Sequence, residues 1–422
     1  MTATTALRID HSGFNALFDQ VAQMGCTPAG GLHRLAGSKE EGQARDIVCD
    51  WLRARGFSLH IDPVGNVFAL LELAGPDAPW VLSGSHLDSQ PRGGRYDGAY
   101  GVIAACLAAD AIGRAAPAGC TANLGVVIWT NEEGARFAPS MMGSGVFAGH
   151  YATDYALSRT DADGVSVRDA LQAIGYHGQD AGPAHPAAYV ELHIEQGPEL
   201  EATKTSVGVV VGNWGTMKYI VTMKGVAAHT GPTAMDKRHD ALLAAAYLIA
   251  ACREHSDRTG GKLLTSVGRL DVSPNSSNVV AEQVKVYTEM RATNNDLLTT
   301  SCKAFEAAAA EAARRAFVTY EILQVTDRPA GAFDTGLCDL IAQVAADKGL
   351  GHRRLSTVAG HDAVSMRKRC PSAMIFVPSV QGISHNEAEL THPQDLANGL
   401  EMLGEVMLRL VQGQTRVSNP PR

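Results

Sequence analysis

Imidazole and acidic side chains follow four apolar runs that are far apart in the sequence. These runs lie at 80–85, 124–130, 187–194 and 373–379. Each fits a buried strand of a largely parallel sheet, with helical patterns between most of them. Because ligands bind outside the carboxyl ends of strands in open α/β sheets, the side chains that follow these runs are expected to share one rim.

The side chains at this rim are of types that bind divalent ions. They are three imidazoles and four carboxylates, namely His86, Asp88, Asp97, Glu132, Glu133, His193 and His385. Imidazole and carboxylate ligands together suit zinc, manganese or cobalt. Each residue taken alone would more often be a structural histidine or a solvated loop residue. The joint pattern at four strand ends predicts a metal site.

The ligand set is large enough for two ions if one carboxylate bridges them. Asp97 is the natural bridge, because the glycines around it let the backbone approach closely. His86 and His193 could then hold one ion, and Glu133 and His385 the other.

Two further carboxylates fit supporting roles. Asp88 lies two residues after His86 in an extended segment and is expected to orient that imidazole. Glu132 adjoins Glu133. If Glu133 binds a metal, Glu132 is free to take a proton from the attacking water.

The elements that must position these residues divide the chain into two domains. Residues 1–212 and 329–422 have the strand–helix rhythm of an α/β fold, with a mainly parallel sheet flanked by helices. Residues 213–328 read β-α-β-β-α-β, the order of a ferredoxin-like α+β unit. This second domain is predicted to be an insertion, because the run at 373–379 follows it and resembles another strand of the first sheet.

Composition narrows the classes of function. The 422 residues carry a formal net charge of −8 without a basic block, which argues against nucleic-acid binding. No apolar run reaches the roughly 18 residues of a membrane span. The N-terminus has no basic cluster followed by an apolar core, so no secretory signal is expected. Eight scattered cysteines, none at CxxC spacing, predict reduced thiols and a cytoplasmic location.

Several segments resemble the motifs of dinuclear-metal amidohydrolases. They are SGSHLDSQPRGGRYDGAYGV, TNEEGARF, ELHIEQGP, HTGPTAMDKRHDAL, GHDAV and PSAMIFVPSVQGISHNEAE. The branch they resemble comprises N-carbamoyl-L-amino-acid hydrolases, allantoate amidohydrolases and β-ureidopropionases, which are relatives of zinc aminoacylases and aminopeptidases. The similarity runs in order over residues 80–395.

The resemblance implies an architecture and a cofactor. Residues 1–212 and 329–422 would form a zinc-aminopeptidase-like catalytic domain, and 213–328 a lid that also forms the homodimer interface. Two divalent ions would bind per chain, with Zn²⁺ as the first choice and Mn²⁺ or Co²⁺ as alternatives. The matching positions are the ligands and the general base already named: His86, Asp97, Glu133, His193, His385 and Glu132.

The resemblance also implies residues that contact the substrate. His229 matches a histidine that polarises the scissile carbonyl and reaches in from the partner subunit. Asn278 and Arg291 match residues that hold the substrate carboxylate, and an Arg fork reads a carboxylate well. Gln196 and Gly360 match pocket residues of the catalytic domain. Arg291 has an alternative interpretation, a salt bridge on the face of its strand.

Three positions depart from the family pattern. Ala281 follows Asn-Val-Val where the family often has proline, and Glu289 and Ala292 stand beside Arg291 where the family often has the aspartate and histidine of an Asp-x-Arg-His run. The strand that carries Arg291 is therefore expected to differ in detail, which leaves the specificity open.

The predicted function is hydrolysis of an N-carbamoyl-L-amino acid or a related ureido acid to the amino acid, CO2 and ammonia. Allantoate amidohydrolase and β-ureidopropionase activities are alternatives, and an aminoacylase or dipeptidase is a more distant one. A metal-stabilised binding protein without turnover is the alternative from another class. Glu132 argues against it, because a structural metal site does not need a spare carboxylate.

Overall fold

The computed structural model describes residues 7–414, which form two units. The first unit comprises the chain up to Val211 and from Ala332 onward, and the second is Gly212–Gly331. We call the second unit the insert. Each unit has its own hydrophobic core.

The described residues that precede the insert form six strands and seven helices. The strands are β1 (Ser58–Ile61), β2 (Val67–Leu71), β3 (Trp80–His86), β4 (Asn123–Trp129), β5 (Pro186–Ile194) and β6 (Val207–Asn213). The helices are α1 (His11–Ala22), α2 (Lys39–Arg53), α3 (Ala99–Ala115), α4 (Met142–Phe147), α5 (Thr153–Leu157), α6 (Val167–Ala173) and α7 (Glu199–Ala202).

The insert contains two long helices and six strands. The strands are β7 (Gly215–Lys224), β8 (Ala228–His229), β9 (Leu263–Ser273), β10 (Val279–Val280), β11 (Gln283–Ala292) and β12 (Thr319–Arg328). The helices are α8 (Ala241–Asp257) and α9 (Asn295–Arg315). Four strands form an antiparallel sheet in the order β12-β7-β11-β9, which is the ferredoxin-like order, and β8 pairs with β10.

The chain then returns to the first unit. It adds β13 (Gly331–Ala332), β14 (His352–Thr357) and β15 (Ser372–Val377), together with α10 (Thr335–Asp347), α11 (Asp362–Met366) and α12 (Pro393–Val411). Short 3-10 turns lie at Met235–Lys237 in the insert and at Val380–Gly382 after β15.

The sheet of the first unit has parallel strands at its centre. Its order is β1-β2-β4-β3-β5-β15-β6-β13, with β14 paired to β6. The strands β4, β3, β5 and β15 run parallel, whereas β2 and β6 flank them in antiparallel orientation. The prediction of an α/β fold with a mainly parallel central sheet is confirmed, and each of the four apolar runs forms one of these strands.

Helix α3 shows how the sequence builds this core. It is rich in alanine, and its residues from Ala99 to Ile112 are all buried. Small side chains let a helix approach a sheet closely, and here α3 packs against β3 and α12. Because α3 begins just after Asp97, its packing anchors one end of the glycine-rich loop. Among residues 7–414, no helix is both long and apolar enough to cross a membrane.

Candidate metal centre

The central strands of the first unit deliver the predicted side chains to one edge of the sheet. Parallel pairing aligns β3 with β4 and β5 with β15. Strand β3 ends at His86, and His193 is the penultimate residue of β5. Glu132 and Glu133 lie in the loop that follows β4, and His385 lies in the loop that follows β15.

Asp97 lies between two groups of side chains and turns one oxygen toward each. Its Oδ1 lies 3.1 Å from Nε2 of His193 and 3.4 Å from Nε2 of His86. Its Oδ2 lies 3.4 Å from Nε2 of His385, which is also 3.4 Å from Oε2 of Glu133. The structure therefore brings all five predicted ligands together, with Asp97 shared between the two groups.

The backbone fixes the direction in which two of the imidazoles point. Nδ1 of His86 lies 2.9 Å from the carbonyl oxygen of Asp88, and Nδ1 of His193 lies 2.9 Å from that of Ile194. A carbonyl oxygen only accepts, so each Nδ1 carries a proton. In the neutral ring Nε2 is then an acceptor that faces the Asp97 carboxylate, another acceptor, although Nε2 of His193 also accepts from the backbone N–H of Gly98 at 3.3 Å. A cation between them satisfies both, and the donor set thus fits divalent ions.

The second group is held by a residue that the sequence did not indicate. Gln90 donates from its backbone N–H to Oε1 of Glu133 at 3.1 Å and from Nε2 to Oε2 at 2.9 Å. His385 is the most open member of the centre, since its side chain is 51% exposed. The second group therefore lies at the mouth of the centre, whereas His86 and His193 are buried.

Glu132 lies beside the first group. Its Oε2 is 3.6 Å from Nε2 of His86, and the residue is buried. Burial, reinforced by the carboxylates of Asp362 and Glu133, raises the pKa of Glu132 well above its usual value. A carboxylate with a raised pKa is a better proton acceptor near neutral pH than an ordinary one.

Asp88 supports the centre in a different way from the one expected. The contact to Nδ1 of His86 comes from the Asp88 backbone carbonyl, whereas the carboxylate oxygen is 3.7 Å away. The carboxylate instead accepts hydrogen bonds from the backbone N–H groups of Glu132 and Glu133, both at 3.2 Å. Burial raises the pKa of Asp88 to about 7. Asp88 therefore positions the two glutamates with its side chain and His86 with its backbone.

The charges of the centre shift the other pKa values in opposite directions. Although burial opposes it, hydrogen bonds from the rings of His193, His385 and His86, in their protonated form, hold the pKa of Asp97 well below its usual value. Asp97 and Glu133 in turn raise the pKa of His385 to about 9, again against the effect of burial. Asp97 therefore stays ionised in this setting, as a bridging ligand must.

The two predicted pocket residues of the first unit lie next to the centre. Gln196 donates from Nε2 to Oδ2 of Asp97 at 2.7 Å and to Oγ of Ser384 at 3.0 Å. Gly360 precedes His361, whose ring centroid lies 4.5 Å from that of His193. Gln196 thus touches the shared carboxylate directly.

The three predicted substrate contacts of the insert lie on its strands or beside them. His229 is exposed and ends β8, and Asn278 immediately precedes β10, its pairing partner. The N–H of Gly231 donates to Nδ1 of His229 at 3.0 Å. The neutral ring therefore carries its proton on Nε2, where it can serve as a donor.

Arg291 lies on β11, in the larger sheet of the insert. It pairs through Nε with Glu289, which also accepts from Nζ of Lys218 at 2.8 Å. The salt bridge that the sequence left open for Arg291 is therefore present on the strand face. A guanidinium has five N–H donors, so this pairing does not preclude recognition of a carboxylate.

A buried arginine that sequence reasoning missed supports the loop after β3. Arg34 donates from Nε to the carbonyl oxygen of Leu87 at 2.6 Å. Its backbone N–H donates to Oγ of Ser89 at 3.0 Å, and Ser89 N–H returns a bond to its carbonyl at 2.8 Å. Burial lowers the pKa of Arg34 to about 10. These bonds fix the segment on either side of Asp88. Nothing in the local sequence around Arg34 indicates this role.

The first unit is an α/β fold with a candidate metal centre of imidazole and carboxylate side chains at the carboxyl edge of its sheet, an arrangement typical of metal-dependent hydrolases. Residues 82–409 match peptidase family M20/M25/M40, and the chain therefore belongs to this family.

Relatives in this family narrow the class of enzyme. The chain is 36% identical over 396 residues to an N-carbamoyl-L-amino-acid amidohydrolase of Rhizobium meliloti, covering 93% of this chain and 94% of the relative. It is 32% identical over 394 residues to allantoate amidohydrolase of Escherichia coli, covering 92% and 95%. A hydantoinase/carbamoylase family amidase of Burkholderia vietnamiensis superposes with a TM-score of 0.91 at 37% identity, covering 96% and 98%. The chain is an amidohydrolase.

Proposed function

We propose that this amidohydrolase cleaves the C–N bond of an N-carbamoyl-L-amino acid or a related ureido acid. The products would be the amino acid, CO2 and ammonia. The observation that carries the proposal is the placement of Asp97 between two ligand groups, with the buried carboxylate of Glu132 beside them. The names of the relatives at 36% and 32% identity support the substrate class.

Two divalent ions would bind at the centre. His86, His193 and Asp97 would hold one, and Asp97, Glu133 and His385 the other. Zn²⁺ is the first choice for this donor set, and Mn²⁺ or Co²⁺ is the alternative. When bound, such ions polarise a carbonyl and acidify water.

Glu132 would act as the general base. Its carboxylate accepts a proton from the water that attacks the carbamoyl carbon and returns it to the leaving nitrogen as the C–N bond breaks. The carbamate that remains decomposes to CO2 and ammonia. Positioned proton transfer of this kind is worth about 10²–10⁴-fold in rate. Asp88 keeps Glu132 in place through the bond to its backbone N–H.

The insert would supply recognition of the substrate. Arg291 and Asn278 would bind the substrate carboxylate, while Gln196 and Gly360 of the first unit would line the pocket. His229 would donate from Nε2 to the oxygen of the scissile carbonyl, where negative charge develops. The family resemblance is the basis for these roles, and the proton placement on His229 supports the last of them.

His229 would come from the partner subunit of a homodimer. Both edge strands of the larger sheet of the insert carry exposed apolar side chains, which supports an interface there: Tyr320, Leu323 and Val325 on β12, and Leu264 and Leu270 on β9. Exposed apolar sheet edges are sites at which chains associate.

We also propose a cytoplasmic location, because all eight cysteines are free thiols.

A panel of substrates tests the proposed function. The metal-loaded protein is incubated with N-carbamoyl-L-amino acids, allantoate, 3-ureidopropionate, N-acetyl-amino acids and dipeptides, while ammonia and free amine are measured. We expect release of ammonia and amine in equal amounts from N-carbamoyl-L-amino acids, with Glu132→Gln as the inactive control. Faster cleavage of allantoate or ureidopropionate would reassign the ureido substrate. Cleavage of only N-acetyl-amino acids or dipeptides would overturn the proposal.

A further inference from the structure

A buried glutamate outside the predicted ligand set joins two loops of the metal centre. Glu389 is 5% exposed and lies four residues after His385. Its Oε1 accepts from the backbone N–H groups of Tyr96 at 3.0 Å and Asp97 at 3.1 Å. Its Oε2 accepts from Oγ of Ser384 at 2.9 Å. One carboxylate therefore binds the loop that carries Asp97 and the loop that carries His385.

The glycine-rich loop leaves space for this carboxylate. A Cβ atom at Gly94 would lie 2.0 Å from Oε1 of Glu389, a distance that no real contact allows. Gly94 does not have the positive φ that would itself require glycine. The absence of a side chain at Gly94 is therefore explained by the position of Glu389 and not by the backbone.

A second chain of contacts connects Glu389 to the side chain of Asp97. Ser384, which donates to Glu389, accepts from Nε2 of Gln196 at 3.0 Å. The same Nε2 donates to Oδ2 of Asp97 at 2.7 Å. Both the backbone and the carboxylate of Asp97 are thus fixed by groups that depend on Glu389.

We propose that Glu389 is a positioning residue that sets the separation of Asp97 and His385, and through it the affinity of the second metal ion. The inference rests on the proposed metal centre but not on the substrate. Asp97 and His385 are 288 residues apart in the sequence. The covalent chain therefore does not fix the distance between them, and non-covalent contacts must do so. Hydrogen bonds that orient ligands in this way affect metal affinity by about 10–100-fold.

Glu389→Ala removes all three hydrogen bonds, and Glu389→Gln keeps an acceptor for the two backbone N–H groups. Glu387→Gln is the matched control, because Glu387 lies in the same loop and contacts the glycine-rich loop only through the exposed side chain of Arg92, with no bond to the backbone of Asp97. The dissociation constants of Zn²⁺ and of Mn²⁺ are measured for both sites by competition with a chelator, without substrate. Thermal unfolding of the metal-free variants is recorded in parallel.

We expect Glu389→Ala to weaken the second ion by about 10–100-fold and the first ion by less. Glu389→Gln should recover part of this loss, and Glu387→Gln should bind both ions as the parent does. If Glu389→Ala does not fold, Gly94→Ala supplies the test, since its Cβ would displace the carboxylate and should weaken the second ion as well. Unchanged affinities in Glu389→Ala, or in Gly94→Ala when that variant is needed, would overturn the proposal. A variant whose metal-free form unfolds at a lower temperature but whose metal affinities are unchanged would also overturn the proposal.

This result is separable from the proposed function. Metal affinity is read without turnover, so it holds whichever amide the protein cleaves. A substrate panel that fails while Glu389→Ala weakens the second ion would remove the substrate and keep the positioning role. The reverse pattern would remove the positioning role and keep the substrate.

Discussion

The metal centre and the proposed substrate contacts of the insert differ in how firmly the chain holds them. His86 and His193 are each 1% exposed, and their Nδ1 atoms are fixed by backbone carbonyls. His229 and Asn278 are exposed on short paired segments. The proposed metal ligands therefore all lie within one unit, where burial and backbone contacts fix them, whereas the proposed substrate contacts of the insert are exposed.

This difference has a physical basis. Charged and polar groups are buried only when hydrogen bonds or counter-charges compensate them. In the centre, backbone groups and neighbouring side chains give almost every ligand a second partner. On the insert, water can solvate His229 and Asn278, so these side chains need no such framework. Changes to the centre should therefore act on metal binding and the chemical step, and changes to the insert should act on substrate binding or on the carbonyl.

Removal of metal should have the largest effect. We expect dialysis against a chelator to abolish hydrolysis while the far-ultraviolet circular dichroism stays that of a folded α/β protein, because the core of the first unit is built from apolar side chains. Activity should return when Zn²⁺, Mn²⁺ or Co²⁺ is added. Full activity in protein shown by elemental analysis to hold no divalent metal would contradict the account.

Glu132→Gln should lower kcat by about 10²–10⁴-fold, because the amide keeps the shape of the side chain but is not a useful base. Both metals should remain bound, as measured by elemental analysis. Glu133→Gln is the matched variant and should lose the second ion. The roles of the two glutamates would be exchanged if Glu132→Gln lost an ion while Glu133→Gln kept both.

His229→Ala should lower kcat by about 10²–10³-fold, the usual effect of removing one donor to a developing oxyanion. Metal content should not change, which separates this variant from those of the centre.

Subunit exchange then tests which subunit supplies His229 to the site. Mixing equal amounts of Glu132→Gln and His229→Ala dimers should restore about a quarter of the parent activity, since half the dimers are mixed and each has one intact site. An inactive mixture with exchange confirmed by mass would place His229 within its own chain or outside the reaction.

Arg291→Met should have the smallest effect, a rise in KM of about 10–100-fold with little change in kcat, because a charge-assisted hydrogen bond is worth about 1.5–3 kcal/mol and about 1.4 kcal/mol is a factor of ten. Arg269→Met is the matched control. Arg269 pairs with Asp271 two residues away on β9, as Arg291 pairs with Glu289 on β11. Equal effects of the two substitutions on KM would reduce Arg291 to a strand-face salt bridge.

The sequence was informative where one segment carries both the strand and the ligand. An apolar run followed within a few residues by His86, or by Glu132 and Glu133, predicts a position in space, because the strand direction is set by the run itself. The β-α-β-β-α-β rhythm of 213–328 led to the prediction of a ferredoxin-like unit, and the insert has four antiparallel strands in the order β12-β7-β11-β9.

The contacts that the sequence did not reveal join segments far apart in the chain. Glu389 and Gln90 bind backbone or side-chain groups of other loops, and nothing in their local pattern indicates a partner. Asp88 was expected to contact His86 through its carboxylate, but its backbone carbonyl makes this contact. The spacing of residues does not distinguish these two groups. Such roles depend on loop geometry, which residue type and period leave undetermined.

The positions of the bound metals test the central claim most directly. Crystals of the metal-loaded protein are measured on either side of the X-ray absorption edge of zinc, and an anomalous difference map is calculated. We predict two peaks per chain on either side of the Asp97 carboxylate, one bounded by His86 and His193 and the other by Glu133 and His385. A single peak, or peaks that do not share Asp97, would contradict the account.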